Sequence, residues 1–74
     1  MESVELKLKG IVGQYPVVCT RKVVEMLRNP VLSIELERGQ PSEDVRKLLD
    51  ELDYHVEAKE FDGWVMLKAS KQKK

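Results

Sequence analysis

A single cysteine in 74 residues excludes an internal disulfide and any metal site built from several thiolates. The single histidine has no partner at metal-ligand spacing beyond scattered carboxylates, so no metal and no cofactor is expected. Excess charge of either sign is also missing, because 13 Lys+Arg balance 13 Asp+Glu. A protein that coats duplex DNA or another polyanion is normally strongly basic, so nucleic acid is not the expected partner. Aromatics make up 5% of the chain, too few for an extended stacking platform on single strands. No apolar run approaches the roughly 20 residues of a membrane-spanning helix. Met1-Glu2-Ser3-Val4-Glu5 has neither the basic start nor the apolar stretch of a secretory signal. There is no Walker-type run, no dinucleotide fingerprint and no nucleophile elbow. What remains is a cytoplasmic domain spanning residues 1–74. At this length folding buries only about 60% of the unfolded chain's surface, which allows one thin core.

The apolar residues that are present fall into clear periods. Val4, Leu6 and Leu8 alternate with Glu5, Lys7 and Lys9, the pattern of a half-buried strand ended by Gly10. After a loop, Pro16 suits the first helical position and biases Tyr15 toward extended backbone. Val17, Thr20, Val24 and Leu27 then form one helix face, widened by Val23 and stopped by Asn29-Pro30. Leu32, Ile34 and Leu36 alternate with Ser33, Glu35 and Glu37 in a second strand. Pro41 or Ser42 opens a second helix with Glu43 and Asp44 in its favourable first turn. Val45, Leu48, Leu49 and Leu52 make its buried stripe, and Asp53 marks its exit.

Two further strands follow, joined at Asp62-Gly63, a strong two-residue hairpin signal. The tail 70–74 carries three lysines and no large apolar residue, and is expected to fray. The order β-α-β-α-β-β predicts a two-layer α/β sandwich: a four-stranded mixed sheet with two helices on one face.

The hairpin turn also fixes which side chains share a face. Phe61 lies opposite Trp64, Lys59 opposite Met66, Ala58 opposite Leu67 and Val56 opposite Ala69. Val56, Ala58, Val65, Leu67 and Ala69 then form the core side. His55, Glu57, Lys59, Phe61, Trp64, Met66 and Lys68 form a side with no helices over it. Phe61, Trp64 and Met66 make an apolar cluster there, suited to contact with another protein or a second copy. The same pair, Phe61 and Trp64, also serves to stabilise a short hairpin.

Chemistry-bearing residues are few. Cys19 lies early in the first helix, with Arg21 and Lys22 close in sequence, a setting that can activate a thiol. It also sits at the edge of the buried stripe, as an inert, partly covered cysteine would. His55 and Glu57 could exchange a proton, but no nucleophile stands beside them. The backbone before Pro16 could hold an anion, as any helix start could.

From Val4 to Lys68 the chain resembles the TusA/SirA-like family of small sulfur-carrier proteins. Gly10-Ile11-Val12-Gly13-Gln14-Tyr15-Pro16-Val17 aligns with the family's glycine, two spacers, Cys-Pro-x-Pro and an aliphatic residue. Thr20-Arg21-Lys22 resembles the Thr-Lys/Arg-Lys segment that follows. The resemblance implies the same two-layer fold and a place in sulfur relay. Gly13 stands where the family carries its persulfide-forming cysteine, and Gln14 replaces the first proline. Pro16 matches the second. Glycine cannot carry sulfur, since the chemistry needs a nucleophilic thiolate. The resemblance therefore implies a non-catalytic domain acting through protein contacts. The alternatives are sulfur transfer on Cys19 and a nucleic-acid or small-anion binding module.

Overall fold

The computed structural model describes residues 3–11 and 13–71. Its elements are β1 (Ser3–Lys7), α1 (Tyr15–Met26), β2 (Val31–Glu37), α2 (Gln40–Glu51), β3 (Tyr54–Phe61) and β4 (Trp64–Lys71). The four strands form one mixed sheet in the order β1-β2-β4-β3. β1 and β2 are parallel, and β4 lies antiparallel to both β2 and β3. The α2 crossover therefore skips one position in the sheet, and β4 returns to fill it. The predicted two-layer sandwich is the observed one.

Burial explains the layering. Leu32, Ile34 and Leu36 of β2 are fully buried, as are Val45 and Leu49 of α2 and Leu67 of β4. Val17, Cys19, Val23 and Val24 of α1 pack onto the same cluster, so both helices cover one side of the sheet. Pro16, in the first turn of α1, is buried. Thr20 is also fully buried, and its Oγ1 has no hydrogen-bond partner among the described residues, a local cost of roughly 1–3 kcal/mol. Among the described residues, no helix is long and apolar enough to cross a membrane.

The hairpin register is the predicted one: Phe61 pairs with Trp64, Lys59 with Met66, Ala58 with Leu67 and Val56 with Ala69. Gly63 supplies the turn's positive φ of 84°. At the exit of α2, Asp53 adopts a φ of 65°. Asp tolerates this left-handed conformation better than most side chains do.

Four expectations need correction. Tyr15 is not extended. The Val18 N–H donates to the Gln14 carbonyl at 3.0 Å, which draws Tyr15 into the first turn of α1. α2 likewise opens at Gln40, one residue before Pro41, and the Glu43 N–H donates to the Gly39 carbonyl at 3.1 Å. Ala58 faces the helix side as predicted but is exposed, because β3 is an edge strand and α2 leaves its outer end uncovered. Ser70 and Lys71 are not frayed. β4 runs through Lys71, whose Nζ donates to the Leu52 carbonyl at 2.8 Å and lies 5.3 Å from the Tyr54 ring centroid. That ammonium caps the negative end of α2. Residues 72–74 of the predicted tail lie outside the described residues.

Tyr54 itself is buried, and burial pushes its phenol above the ordinary 10.0. The folded state therefore holds this proton more tightly than the unfolded chain does. The associated stability is complete below about pH 10 and is lost as pH rises through the higher folded value. Urea midpoints measured across this alkaline range should fall with pH. Tyr54→Phe should flatten that part of the decline.

Candidate functional site

β1, β2 and β3 run in the same direction, so their last residues and the first residue of β4 meet at one end of the sheet. The loop from β1 to α1 leaves from this end. Its base is tied down at several points. The Leu8 N–H continues the β1–β2 ladder by donating to the Glu35 carbonyl at 2.9 Å. The Ile11 N–H turns back to the Leu8 carbonyl at 3.2 Å. The Gly10 N–H donates to Glu37 Oε2 at 2.8 Å, a charge-assisted bond from loop to sheet.

Glu37 lies opposite Trp64 in the register, and that pairing brings the loop to the hairpin. Lys9 Nζ is 4.3 Å from the Trp64 ring centroid. Phe61 stacks on the same indole, with ring centroids 4.3 Å apart and planes 12° from parallel. A cation over an indole and an offset aromatic pair are each worth about 0.5–1.5 kcal/mol. The cluster is thus more covered than its sequence pattern suggests. Phe61 is 42% exposed, whereas Trp64 and Met66 are half-buried. Ser33 Oγ donates to Met66 Sδ at 3.6 Å from the neighbouring strand.

Phe61, Trp64 and Met66 do share the sheet side that no helix covers. Four rows cross that side in the observed register. The first holds Glu37, Trp64 and Phe61, and the second Lys7, Glu35, Met66 and Lys59. The third holds Glu5, Ser33, Lys68 and Glu57, and the last consists of the separate pairs Ser3–Val31 and His55–Ser70. Opposite charges face one another across strands, and the apolar side chains gather at the loop end.

The other singled-out residues lie elsewhere. Gly13 has a φ of 79°, and a Cβ built there would meet nothing within 4 Å. It sits in open space just before α1. Gln14 is the N-cap of α1 but makes no capping bond with its side chain. Cys19 is half-buried and packs against the core from the body of α1. It is not brought to the loop, nor to the aromatic cluster. His55 Nε2 lies 3.6 Å from Glu57 Oε2, with both side chains largely in water. No group of three or more His, Cys, Asp or Glu among the described residues could hold a metal ion.

A groove of about 290 Å³ runs between α1 and α2, lined by Gln14, Val17, Arg21, Asp44, Lys47, Leu48 and Glu51. Its rim carries both charge signs and no nucleophile. Lys9 and Glu37 are the site residues that sequence reasoning missed. The available signal was Glu37's place opposite Trp64, which follows once β2 is laid beside β4.

Two helices on one side of a β1-β2-β4-β3 sheet, with the α1 loop at its open end, define a SirA-like α/β sandwich. The crystal structure of the SirA-like protein from Desulfitobacterium hafniense is similar, with a TM-score of 0.81 over 89% of this chain and 93% of that one. The two sequences are 19% identical over the match, so the likeness is one of fold. No family model matches the sequence, and no curated protein does.

Proposed function

We propose that this chain is a protein-binding domain, linked to sulfur relay or its regulation, that does not itself carry sulfur. The observation that carries the reading is the position of its one thiol. Cys19 is half-buried on α1 against the core, while the residue before α1 that resembles the family's sulfur-bearing position is Gly13. A group that receives sulfur must present a thiolate to the donor, and a half-buried thiol on the helix body is poorly placed for that attack. What the fold presents instead is the uncovered sheet side, with Phe61, Trp64 and Met66 gathered beside the loop.

Aromatic anchors of this type commonly carry a large share of an interface's energy. The double variant Phe61→Ala/Trp64→Ala should weaken association with the protein partner by about tenfold or more. Pull-down and equilibrium sedimentation against wild type measure this, with circular dichroism to confirm the fold. A folded double variant that retains every association would overturn the surface assignment.

A further inference from the structure

The sheet has a second feature that its open face does not account for. β3 (Tyr54–Phe61) is an edge strand paired on one side only. It carries no proline, glycine or bulge, and its register with β4 is unbroken along its length. Long, regular edges of this kind are templates for another strand unless their charges repel it, and Glu57 and Lys59 are of opposite sign, so a partner strand can match them. The direct pairing of Phe61 with Trp64 across a two-residue turn makes these two the hydrogen-bonded pair. His55, Glu57 and Lys59 then also point their backbone groups at β4. Val56, Ala58 and Glu60 point theirs outward. Among the described residues, no other part of the chain bonds to those outward groups.

We infer that β3 pairs antiparallel with β3 of a second copy, about a two-fold axis through Ala58, joining two sheets into one. Charge selects this partner and this register. Antiparallel partners must share a face, so only alternate registers keep the two helix layers on the same side. An axis at Glu57 sets the two glutamates against each other and His55 against Lys59. An axis at Lys59 opposes two lysines. An axis at Val56 shortens the ladder to residues 54–58. An axis at Ala58 pairs residues 55–61 and sets Glu57 of each copy against Lys59 of the other, twice by symmetry.

The same register accounts for Ala58, a helix-side residue left exposed. A groove of about 270 Å³ separates α2 from this end of β3, lined in part by Arg46, Ala58, Val65 and Leu67. Val56 and Ala58 of the second copy would lie alongside that groove. Glu60, the one charge on the helix side of the edge, falls opposite Val56 of the other copy in this register, and its carboxylate is already matched by Arg38 Nη2 at 3.3 Å. β1, the opposite edge, spans only Ser3–Lys7 and offers a shorter ladder.

Sedimentation equilibrium over a concentration series tests the pairing. The wild-type mass should rise toward twice the 8.6 kDa of one chain. Lys59→Glu and Glu57→Lys should each weaken the dimer by about tenfold or more, since each opposes like charges twice. The double variant Glu57→Lys/Lys59→Glu should restore it. Hydrogen exchange should show the Val56, Ala58 and Glu60 amides gaining protection with concentration. Circular dichroism melts confirm that each variant folds. A wild-type chain that stays at 8.6 kDa throughout overturns the inference. So does a dimer indifferent to the charge swaps. Loss of the dimer in the Phe61→Ala/Trp64→Ala variant with no response to the swaps would place self-association on the open face instead.

Discussion

Incubated with a cysteine desulfurase and free cysteine, the wild-type chain should gain no sulfur, and a Gly13→Cys variant should gain one. Both halves follow from placement. Persulfide transfer requires an acceptor thiolate to attack the donor's outer sulfur, and the reacting atoms must meet. Cys19 lies on the body of α1, partly covered by the core. It lies four residues past the start of α1, roughly 6 Å of helical rise beyond Tyr15 and further still from Gly13, so a donor aimed at the loop would not reach it. Position 13 has the opposite character. Nothing stands within 4 Å of where its Cβ would be, so a cysteine side chain has room. Its φ of 79° is the cost, since a non-glycine residue there is strained by about 1 kcal/mol. The variant should therefore fold with slightly lower stability and expose a reactive thiol. Intact-mass spectrometry reads the result, and Cys19→Ser in the same background assigns the sulfur. Sulfur on Cys19 of the wild-type chain would overturn the proposed function and restore the carrier reading.

Much of this geometry was legible in the sequence because it depends on local signals. Asp62-Gly63 fixes a two-residue turn, and once the turn is set, a strand period of two dictates every opposed pair from Phe61–Trp64 to Val56–Ala69. Leu32, Ile34 and Leu36 declare their buried side by alternation alone. The misses are contacts between segments far apart in the chain. Trp64 reads as exposed until Lys9 arrives over its ring, and no local pattern announces that ammonium. The Gly10–Glu37 bond spans 27 residues and exists only because β1 and β2 are neighbours. Ser70 and Lys71 read as tail because lysine carries no hydrophobic signal. Their order comes from the cross-strand pairing with His55 and Tyr54 and from the Leu52 carbonyl that Lys71 reaches. Ala58 fails for a related reason: alternation assigns a face but says nothing about how far a helix extends over it. The same gap hides Cys19, which lies off the main stripe of α1 yet still packs on the core.

The thin core sets the largest expected loss of stability. Leu49→Ala should lower unfolding stability by about 3 kcal/mol, whereas Met26→Ala should change it by less than about 0.5 kcal/mol. Leu49 is fully buried on α2 within the cluster formed by β2, β4 and Tyr54. Truncating it removes the transfer energy of its methyl groups and leaves a void that the fixed sheet cannot close. Met26 ends α1 and is 79% exposed, so its truncation opens no void. A domain of this length has roughly 4–11 kcal/mol of stability in all. Losing about 3 kcal/mol therefore brings the chain near its threshold, and the folded fraction should become sensitive to any association that binds only the native state. Urea melts should show the Leu49→Ala midpoint falling with an unchanged slope. If the β3 edge does pair with a second copy, that midpoint should also climb with protein concentration, and adding Lys59→Glu should remove the concentration dependence. An unshifted Leu49→Ala midpoint would mean that α2 does not rest on the sheet as described.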